Sequence, residues 1–239
     1  MLFEILSGGN ITDIIVSLLF SMPIILFALS LHETAHGYVA WKCGDNTAYN
    51  LGRLTLNPMK HIDPMGFIFM FVLGFGWAKP VPINTRNFRN PKRGMALSAL
   101  AGPAANAIVG IISSILFGFF TALQIYLATQ GISKFAFTCL GYTCELFALS
   151  ALYNFLLMAF NLIPIPPFDG SRIALAFLPP KTYFGLMKYE RQIMFGLLIA
   201  LFVLSRFGFS PFSWIANKLT FAIANPMYAL FGKLFGIFI

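Results

Sequence analysis

The sequence predicts an all-α polytopic membrane protein with about five transmembrane helices, a re-entrant segment and a small β-hairpin near the active site. Two observations on composition predict this class: 58% of the 239 residues are hydrophobic, and only 10% are charged. A soluble domain carries about 25% charged residues. The third observation is that the apolar residues gather in long stretches, and a transmembrane helix needs about 20 of them. We expect one integral membrane domain over 1–239.

The elements of this domain follow the apolar stretches in order along the chain. The stretch 65–77 has only 13 residues, so it is too short to cross and predicts a re-entrant or interfacial piece. In residues 51–56, apolar and polar side chains alternate as they do in a short strand. The proline-rich segment 81–84 is expected to be extended, and together the two segments predict the small sheet. The predicted spans are about 11–41, 94–128, 135–163, 193–207 and 212–235.

The charges predict how the chain lies in the membrane. The formal net charge is +8, with eight Lys and Arg residues in 42–93 and four in 172–191. The positive-inside rule places both loops in the cytoplasm and the N-terminus outside. The basic residues do not alternate with aromatics in a polar context, so we expect no nucleic-acid partner. The three cysteines form no CxxC pair and are expected to be small buried hydrophobes.

The pentapeptide His32-Glu33-Thr34-Ala35-His36 lies inside the first apolar stretch. On a helix, histidines four residues apart share one face, so both imidazoles can bind one zinc ion. Glu33 between them can then act as general base on a water molecule that the zinc activates. The alternative is that these polar residues pack between helices. Charged and polar groups on an apolar helix are costly in a bilayer, which favours a function.

A third metal ligand is expected at Asp169. This residue follows an apolar stretch and the proline-broken segment from Asn161 to Pro167. An open catalytic zinc site needs three protein ligands, and the two histidines supply only two of them. Asp169 is the obvious candidate for the third, which predicts one Zn²⁺ per chain.

These motifs together resemble the site-2 protease family of intramembrane zinc metalloproteases, in its compact bacterial branch without PDZ or CBS domains. The resemblance covers a catalytic core of about 11–175 and leaves the C-terminal helices, about 190–239, without a matching motif. Besides the histidine motif it rests on Leu56-Asn57-Pro58-Met59-Lys60-His61-Ile62-Asp63-Pro64-Met65-Gly66, on Gly102-Pro103-Ala104-Ala105-Asn106, and on Asn161-xx-Pro164-xxxx-Asp169-Gly170.

The resemblance implies an intramembrane zinc metalloendopeptidase that cleaves in or near transmembrane segments of other membrane proteins. It implies a multi-pass protein of the bacterial inner membrane, with its active site towards the cytoplasmic half. The expected partners are therefore substrate proteins and the lipid bilayer. The resemblance also places Asn161 and Asn106 at the active site beside Glu33, close to an oxyanion or to the Asp169 segment.

Several alternatives stay open at the level of sequence. For Asn106, hydrogen bonding between helices is as good an explanation as catalysis. His61 could be a fourth ligand, a donor to a ligand, or a structural residue, and a lone loop histidine usually has a structural role. The chain could instead be an inactive membrane scaffold or a metal or solute transporter. The sequence does not set the oligomeric state.

Overall fold

A computed structural model of the chain describes residues 11–73, 78–174, 177, 179, 185, 188–206 and 211–237. Helices dominate this part of the chain, so the predicted all-α class agrees with it. Two single turns of 3-10 helix, Pro58–Lys60 and Thr85–Asn87, lie in the loops. The α-helices are α1 (Ile11–Lys42), α2 (Thr47–Asn50), α3 (Pro64–Leu73), α4 (Pro91–Thr129), α5 (Lys134–Asn161), α6 (Asp169–Ala174), α7 (Glu190–Arg206) and α8 (Pro211–Leu234).

The predicted β-hairpin is wrong. Among the described residues there is no strand, and the pairing that does occur is an isolated antiparallel bridge between Ile62 and Ala78. Residues 51–56 do not run straight, because Gly52 turns the chain with a φ of +62°. That conformation suits glycine and ends any extended run.

Arg53 explains why residues 51–56 do not pair with the segment that follows α3. Its guanidinium donates hydrogen bonds to the carbonyl oxygens of Lys79 (2.9 Å) and Pro80 (3.3 Å). The amide of Lys79 donates to the carbonyl of His61 at 2.8 Å. A buried side chain and one backbone bond therefore join these loops, and they occupy groups that a strand ladder would use.

The count of about five transmembrane helices is also wrong. In the described part of the chain, two helices are long and apolar enough to cross a membrane, α4 and α5. Helix α7 has 17 residues, fewer than the roughly 20 needed. Lys218 and the polar residues around it interrupt the apolar sequence of α8. The sequence predicts the re-entrant segment over 65–77. Helix α3 covers it as far as residue 73, and residues 74–77 lie outside the described residues.

The chain forms two compact units, one of residues 1–105 with 161–199 and the other of 106–160 with 200–239. The second unit has a small core of Ala151, Phe155 and Ala216. In it, a Cβ atom on Gly118 would collide with the carbonyl oxygen of Ala224, so α4 and α8 approach closely there. The prediction of a single membrane domain stays a prediction.

The C-terminal end of α1 and the short helix α2 that follows carry a group that we call the aromatic cluster: Tyr38, Trp41, Lys42 and Tyr49. Three of these residues are exposed and Trp41 is half-buried. The rings of Trp41 and Tyr49 stack at 5.5 Å with an interplanar angle of 10°. The Lys42 ammonium lies 4.5 Å from the centre of the Trp41 ring. Aromatic rings with a nearby lysine are typical of the boundary between lipid and water.

Candidate metal centre

The three side chains predicted as metal ligands converge in the first unit. His32 Nε2 lies 2.9 Å from His36 Nε2 and 3.0 Å from Asp169 Oδ2, and His36 Nε2 lies 3.1 Å from the same oxygen. Both histidines are buried. Helix α1 brings the two histidines together by its own periodicity, whereas Asp169 arrives at the first residue of α6. Three atoms about 3 Å apart can all lie about 2 Å from one ion.

The surroundings of His36 fix which of its nitrogens can bind a cation. Its Nδ1 lies 2.7 Å from the carbonyl oxygen of Ser98, so Nδ1 carries the proton and donates it there. The Ser98 hydroxyl returns a hydrogen bond to the His36 carbonyl at 3.0 Å. In the neutral ring, Nε2 then carries a lone pair, and this nitrogen faces the carboxylate of Asp169. Such an outer hydrogen bond is what orients metal-binding histidines in proteins.

These residues fit a divalent metal ion. The three candidate ligand atoms, His32 Nε2, His36 Nε2 and Asp169 Oδ2, lie about 3 Å from one another in a buried place, so one cation between them would contact all three. Two imidazoles and one carboxylate are a donor set that zinc accepts. Among the described residues this is the cluster of histidine, cysteine and acidic side chains that could hold an ion.

Gly102 leaves the space that the two imidazoles occupy. A Cβ atom placed on Gly102 would lie 2.5 Å from His36 Nε2 and 2.6 Å from His32 Cε1 and Nε2. These distances are far inside van der Waals contact, so no other residue type fits there without moving a histidine. Because Ser98 lies one turn earlier on α4, this helix both supports and encloses the metal face of α1.

The segment before Asp169 is held by its own backbone. The amide and hydroxyl of Ser171 both donate to the carbonyl of Phe168, at 3.0 and 2.7 Å. A Cβ atom on Gly170 would collide with the carbonyl oxygens of Leu162 and Ile163. The chain therefore folds back tightly on the end of α5, and this close approach sets the position of the Asp169 carboxylate.

Glu33 lies on a different face of α1 from the histidines. Its Oε2 accepts a hydrogen bond of 2.8 Å from the backbone amide of Val81. Gly37, one turn later on the same face, allows this approach: a Cβ atom there would lie 3.0 Å from Val81 Cγ1 and 2.6 Å from Leu54 Cδ2. Oε1 has no hydrogen-bond partner among the described residues. The carboxylate is therefore held by one oxygen and open at the other.

The other residues proposed from sequence lie outside this cluster. The Asn106 amide donates to Asn154 Oδ1 at 2.9 Å, a hydrogen bond between α4 and α5 inside the second unit. This contact is the one expected from the interhelical explanation. Asn161 is the last residue of α5 and belongs to the first unit. His61 is not a member of the cluster; its Nε2 lies 2.8 Å from the carbonyl oxygen of Thr55. The catalytic roles predicted for Asn106 and Asn161 stay predictions.

Sequence reasoning missed four positions that shape the site: Gly37, Val81, Ser98 and Gly102. Val81 holds Glu33 through its backbone amide, Ser98 contacts the His36 ring through its backbone carbonyl, and the glycines act by leaving space. None of these contacts with the site residues depends on the chemistry of a side chain, so the sequence gives little sign of them. The sequence did offer one sign, because Gly102 lies in the Gly102-Pro103-Ala104-Ala105-Asn106 motif. A glycine in a membrane helix commonly marks a close approach.

Comparison with known proteins places the chain among peptidases. Residues 17–205 match the model of a family described as peptidase family M50. A Bacillus subtilis protein named "Putative zinc metalloprotease YwhC" is 42% identical over 156 residues, which cover 65% of this chain and 68% of the relative. Two proteins named "Putative zinc metalloprotease Rip2" are also similar. The one from Mycolicibacterium smegmatis is 30% identical over 197 residues (79% of this chain, 70% of the relative). The one from Mycobacterium tuberculosis is 28% identical over 184 residues (73% and 63%). No solved structure matches the chain.

Proposed function

The chain belongs to peptidase family M50, and from that premise we propose that it is an intramembrane zinc metalloendopeptidase. Its substrates are other membrane proteins, which it hydrolyses in or near their transmembrane segments. The observation that carries the proposal is the convergence of His32, His36 and Asp169 to within about 3 Å, with Glu33 one residue from His32. No packing role requires three such groups to meet in a buried place.

His32, His36 and Asp169 would hold the ion through Nε2, Nε2 and Oδ2. A zinc ion bound there would polarise the scissile carbonyl and make a water molecule acidic enough to react at neutral pH. Ser98 keeps the His36 ring in the orientation that presents Nε2, through the bond to its carbonyl. Gly102 keeps the space in front of both rings clear.

Glu33 is the proposed general base. It takes a proton from the attacking water on Oε1 and returns it to the nitrogen of the departing amine. The hydrogen bond from the Val81 amide to Oε2 fixes the rotation of the carboxylate, and this also fixes the direction in which Oε1 points. This arrangement favours proton transfer because the base is already positioned before substrate arrives.

The membrane setting supports the proposed class of substrate. Helices α4 and α5 are long and apolar enough to span a bilayer, and Ser98 and Gly102, which contact the two histidines, lie on α4. A transmembrane helix hides its peptide bonds in its own hydrogen bonds, so a substrate must unwind locally before hydrolysis.

The proposal is tested by measuring zinc and cleavage in the same preparation. Wild-type protein should contain about one zinc per chain and cleave a model transmembrane substrate. Glu33→Gln should keep the zinc and the melting temperature, because no ligand or volume is lost. Its cleavage should fall by about 10²–10⁴-fold, because an amide does not accept a proton at neutral pH.

Asp169→Ala is the matched variant for the ligand set. It should lose most of the zinc together with the activity. Full zinc retention would remove Asp169 from the ligands, and near-normal cleavage by Glu33→Gln would contradict the general-base role. An inactive scaffold would hold zinc without cleaving, and a transporter would move a metal or solute across vesicles.

The proposed location is the bacterial inner membrane, with several spans and the site towards the cytoplasmic half. The charge distribution supports this orientation, since the loop around Arg86, Arg89, Lys92 and Arg93 is strongly basic. A reporter fused near Arg89 should be cytoplasmic and one near Lys134 should be outside. The opposite result would reject this orientation and leave the enzymatic proposal intact.

A further inference from the structure

His61 has one ring nitrogen that is satisfied and one that is not. The residue is 2% exposed, and its Nε2 lies 2.8 Å from the carbonyl oxygen of Thr55. A carbonyl only accepts, so Nε2 carries the proton and Nδ1 of the neutral ring is a lone pair. That Nδ1 is buried and has no hydrogen-bond partner. A buried acceptor without a donor is costly, so a donor from outside the chain is expected.

A small cavity adjoins the His61 ring. Its volume is about 20 Å³, which is enough for one water molecule. Its walls are mostly apolar, and Ser30 and Asp63 are its other polar lining residues. The Ser30 hydroxyl proton is used by the carbonyl of Leu26 at 2.7 Å, and Asp63 Oδ1 accepts from the amide of Gly66 at 2.8 Å. Neither residue therefore offers a proton to Nδ1, but both can accept one.

The cavity lies against the face of α1 that carries Glu33. Leu26, Leu29 and Ser30 line it, and they precede Glu33 by seven, four and three residues, which is one helical face. On the opposite wall Ala78 lines the cavity three residues before Val81, whose amide holds Glu33. The two elements that position Glu33 therefore also enclose this space.

We propose that this cavity is a water-binding site, in which a buried water molecule donates a hydrogen bond to His61 Nδ1. The same water can donate its second proton to Ser30 Oγ or to the Asp63 carboxylate, which completes the two to four bonds that a buried water makes. His61 is then a positioning residue that keeps water against Ser30, one helical turn before Glu33, within apolar surroundings.

The role in turnover rests on the proposed function. Peptide hydrolysis consumes one water: its oxygen becomes part of the new carboxyl group, and one of its protons ends on the new amine. In a membrane that water must be replaced from a site close to the base. The His61 cavity supplies it, so loss of this water should lower kcat and leave KM unchanged.

Water at His61 can be observed directly, without any activity measurement. The chain has three histidines, and two of them belong to the candidate metal centre. Protein labelled with the heavy nitrogen isotope at its histidine rings therefore gives few nitrogen signals in nuclear magnetic resonance. His61 is assigned by its absence from His61→Gln. In zinc-loaded protein in lipid bilayers, magnetisation from water protons should reach His61 Nδ1 without substrate. In Ala78→Val, whose added methyl groups fill the cavity, that transfer should disappear, while the signals of His32 and His36 act as internal controls.

Two conservative variants separate the two nitrogens of the ring. The amide nitrogen of His61→Gln can still donate towards Thr55 but leaves no acceptor at Nδ1, whereas the amide oxygen of His61→Asn lies near the Nδ1 position. His61→Gln and Ala78→Val should lower kcat about 10-fold with KM and zinc content unchanged, as expected for one lost hydrogen bond. His61→Asn should recover to within about threefold of wild type.

The outcomes are distinct. No water contact at Nδ1, or a contact that appears only after a peptide substrate is added, overturns the water site. Equal kcat for the Gln and Asn variants, or a wild-type kcat for His61→Gln, overturns the role in turnover. If the wild-type protein cleaves nothing, the proposed function fails, while the magnetisation transfer still decides whether the site binds water.

Discussion

Replacing Gly102 by alanine should weaken zinc binding without removing a ligand. The added Cβ atom would lie 2.5 Å from His36 Nε2 and 2.6 Å from His32 Nε2. Ordinary contact between such atoms is about 3.5 Å, so a ring or the helix must move by about 1 Å. Metal–ligand distances are held to about 0.2 Å, so a shift of that size breaks the geometry. Helix α4 cannot simply retreat, because Ser98 on it also binds His36.

We expect the zinc affinity of Gly102→Ala to fall by about 100-fold or more. That is the upper end of the range for residues that orient ligands, and it corresponds to about 2.7 kcal/mol of binding free energy. The assay is equilibrium competition between the purified protein in detergent and a chromophoric zinc chelator, with the melting temperature recorded for both variants.

Gly110→Ala is the matched control for Gly102→Ala. It lies two turns further along α4, and its Cβ atom would meet the Phe155 ring at 2.7 Å, a comparable collision away from the histidines. It should lower stability and leave zinc affinity unchanged. If both variants bind zinc to within threefold of wild type, Gly102 does not enclose the metal site and the reasoning fails.

Two further predictions concern Glu33 and Asp45. Gly37→Ala should push Val81 away from Glu33 and lower cleavage about 10-fold with zinc retained; unchanged cleavage would show that the Val81 bond is dispensable. Asp45 is buried, and although burial alone would raise its pKa, hydrogen bonds from Thr47, Asn87 and the Asn84 amide outweigh it and hold the pKa below its ordinary value. A lowered folded pKa gives stability that is complete above the unfolded value of about 3.9 and is lost as pH falls through the folded one. Thermal unfolding should therefore show a loss of stability below about pH 4 that Asp45→Asn lacks; the same pH dependence in both proteins would contradict this.

The parts of the site that sequence could predict are those set by local geometry and by chemical need. The spacing of His32 and His36 places both on one helical face wherever the helix lies. Asp169 could be proposed because an open metal site needs a third ligand and an acid followed a proline-broken segment. The structure brings the three side chains together, and their roles as ligands await the zinc measurements.

The parts that sequence could not predict depend on contacts between distant segments. The alternation of apolar and polar side chains in 51–56 predicts a strand. In the structure the buried Arg53 guanidinium donates hydrogen bonds to the carbonyls of Lys79 and Pro80, and no strand forms there. The bond between Val81 and Glu33 uses a backbone amide, which every non-proline residue has, so no side chain indicates it. Among the described residues, the predicted span at α7 is too short to cross a membrane, and polar residues interrupt the one at α8.

The aromatic cluster at the end of α1 has a consequence for where a client protein can be cut. If the protein is the intramembrane protease proposed above and Trp41 lies at the level of the lipid headgroups, α1 descends about 1.5 Å per residue from there, so His36 would lie about 8 Å and His32 about 14 Å below it. The hydrocarbon core is about 30 Å thick, so the proposed reaction would take place in the half nearer that surface. A client helix crossing the same bilayer would then present about five to nine residues from that end, and bonds near its far end would stay out of reach. Under that proposal the depth of these few side chains selects the cleavage position before any side-chain preference of the substrate acts.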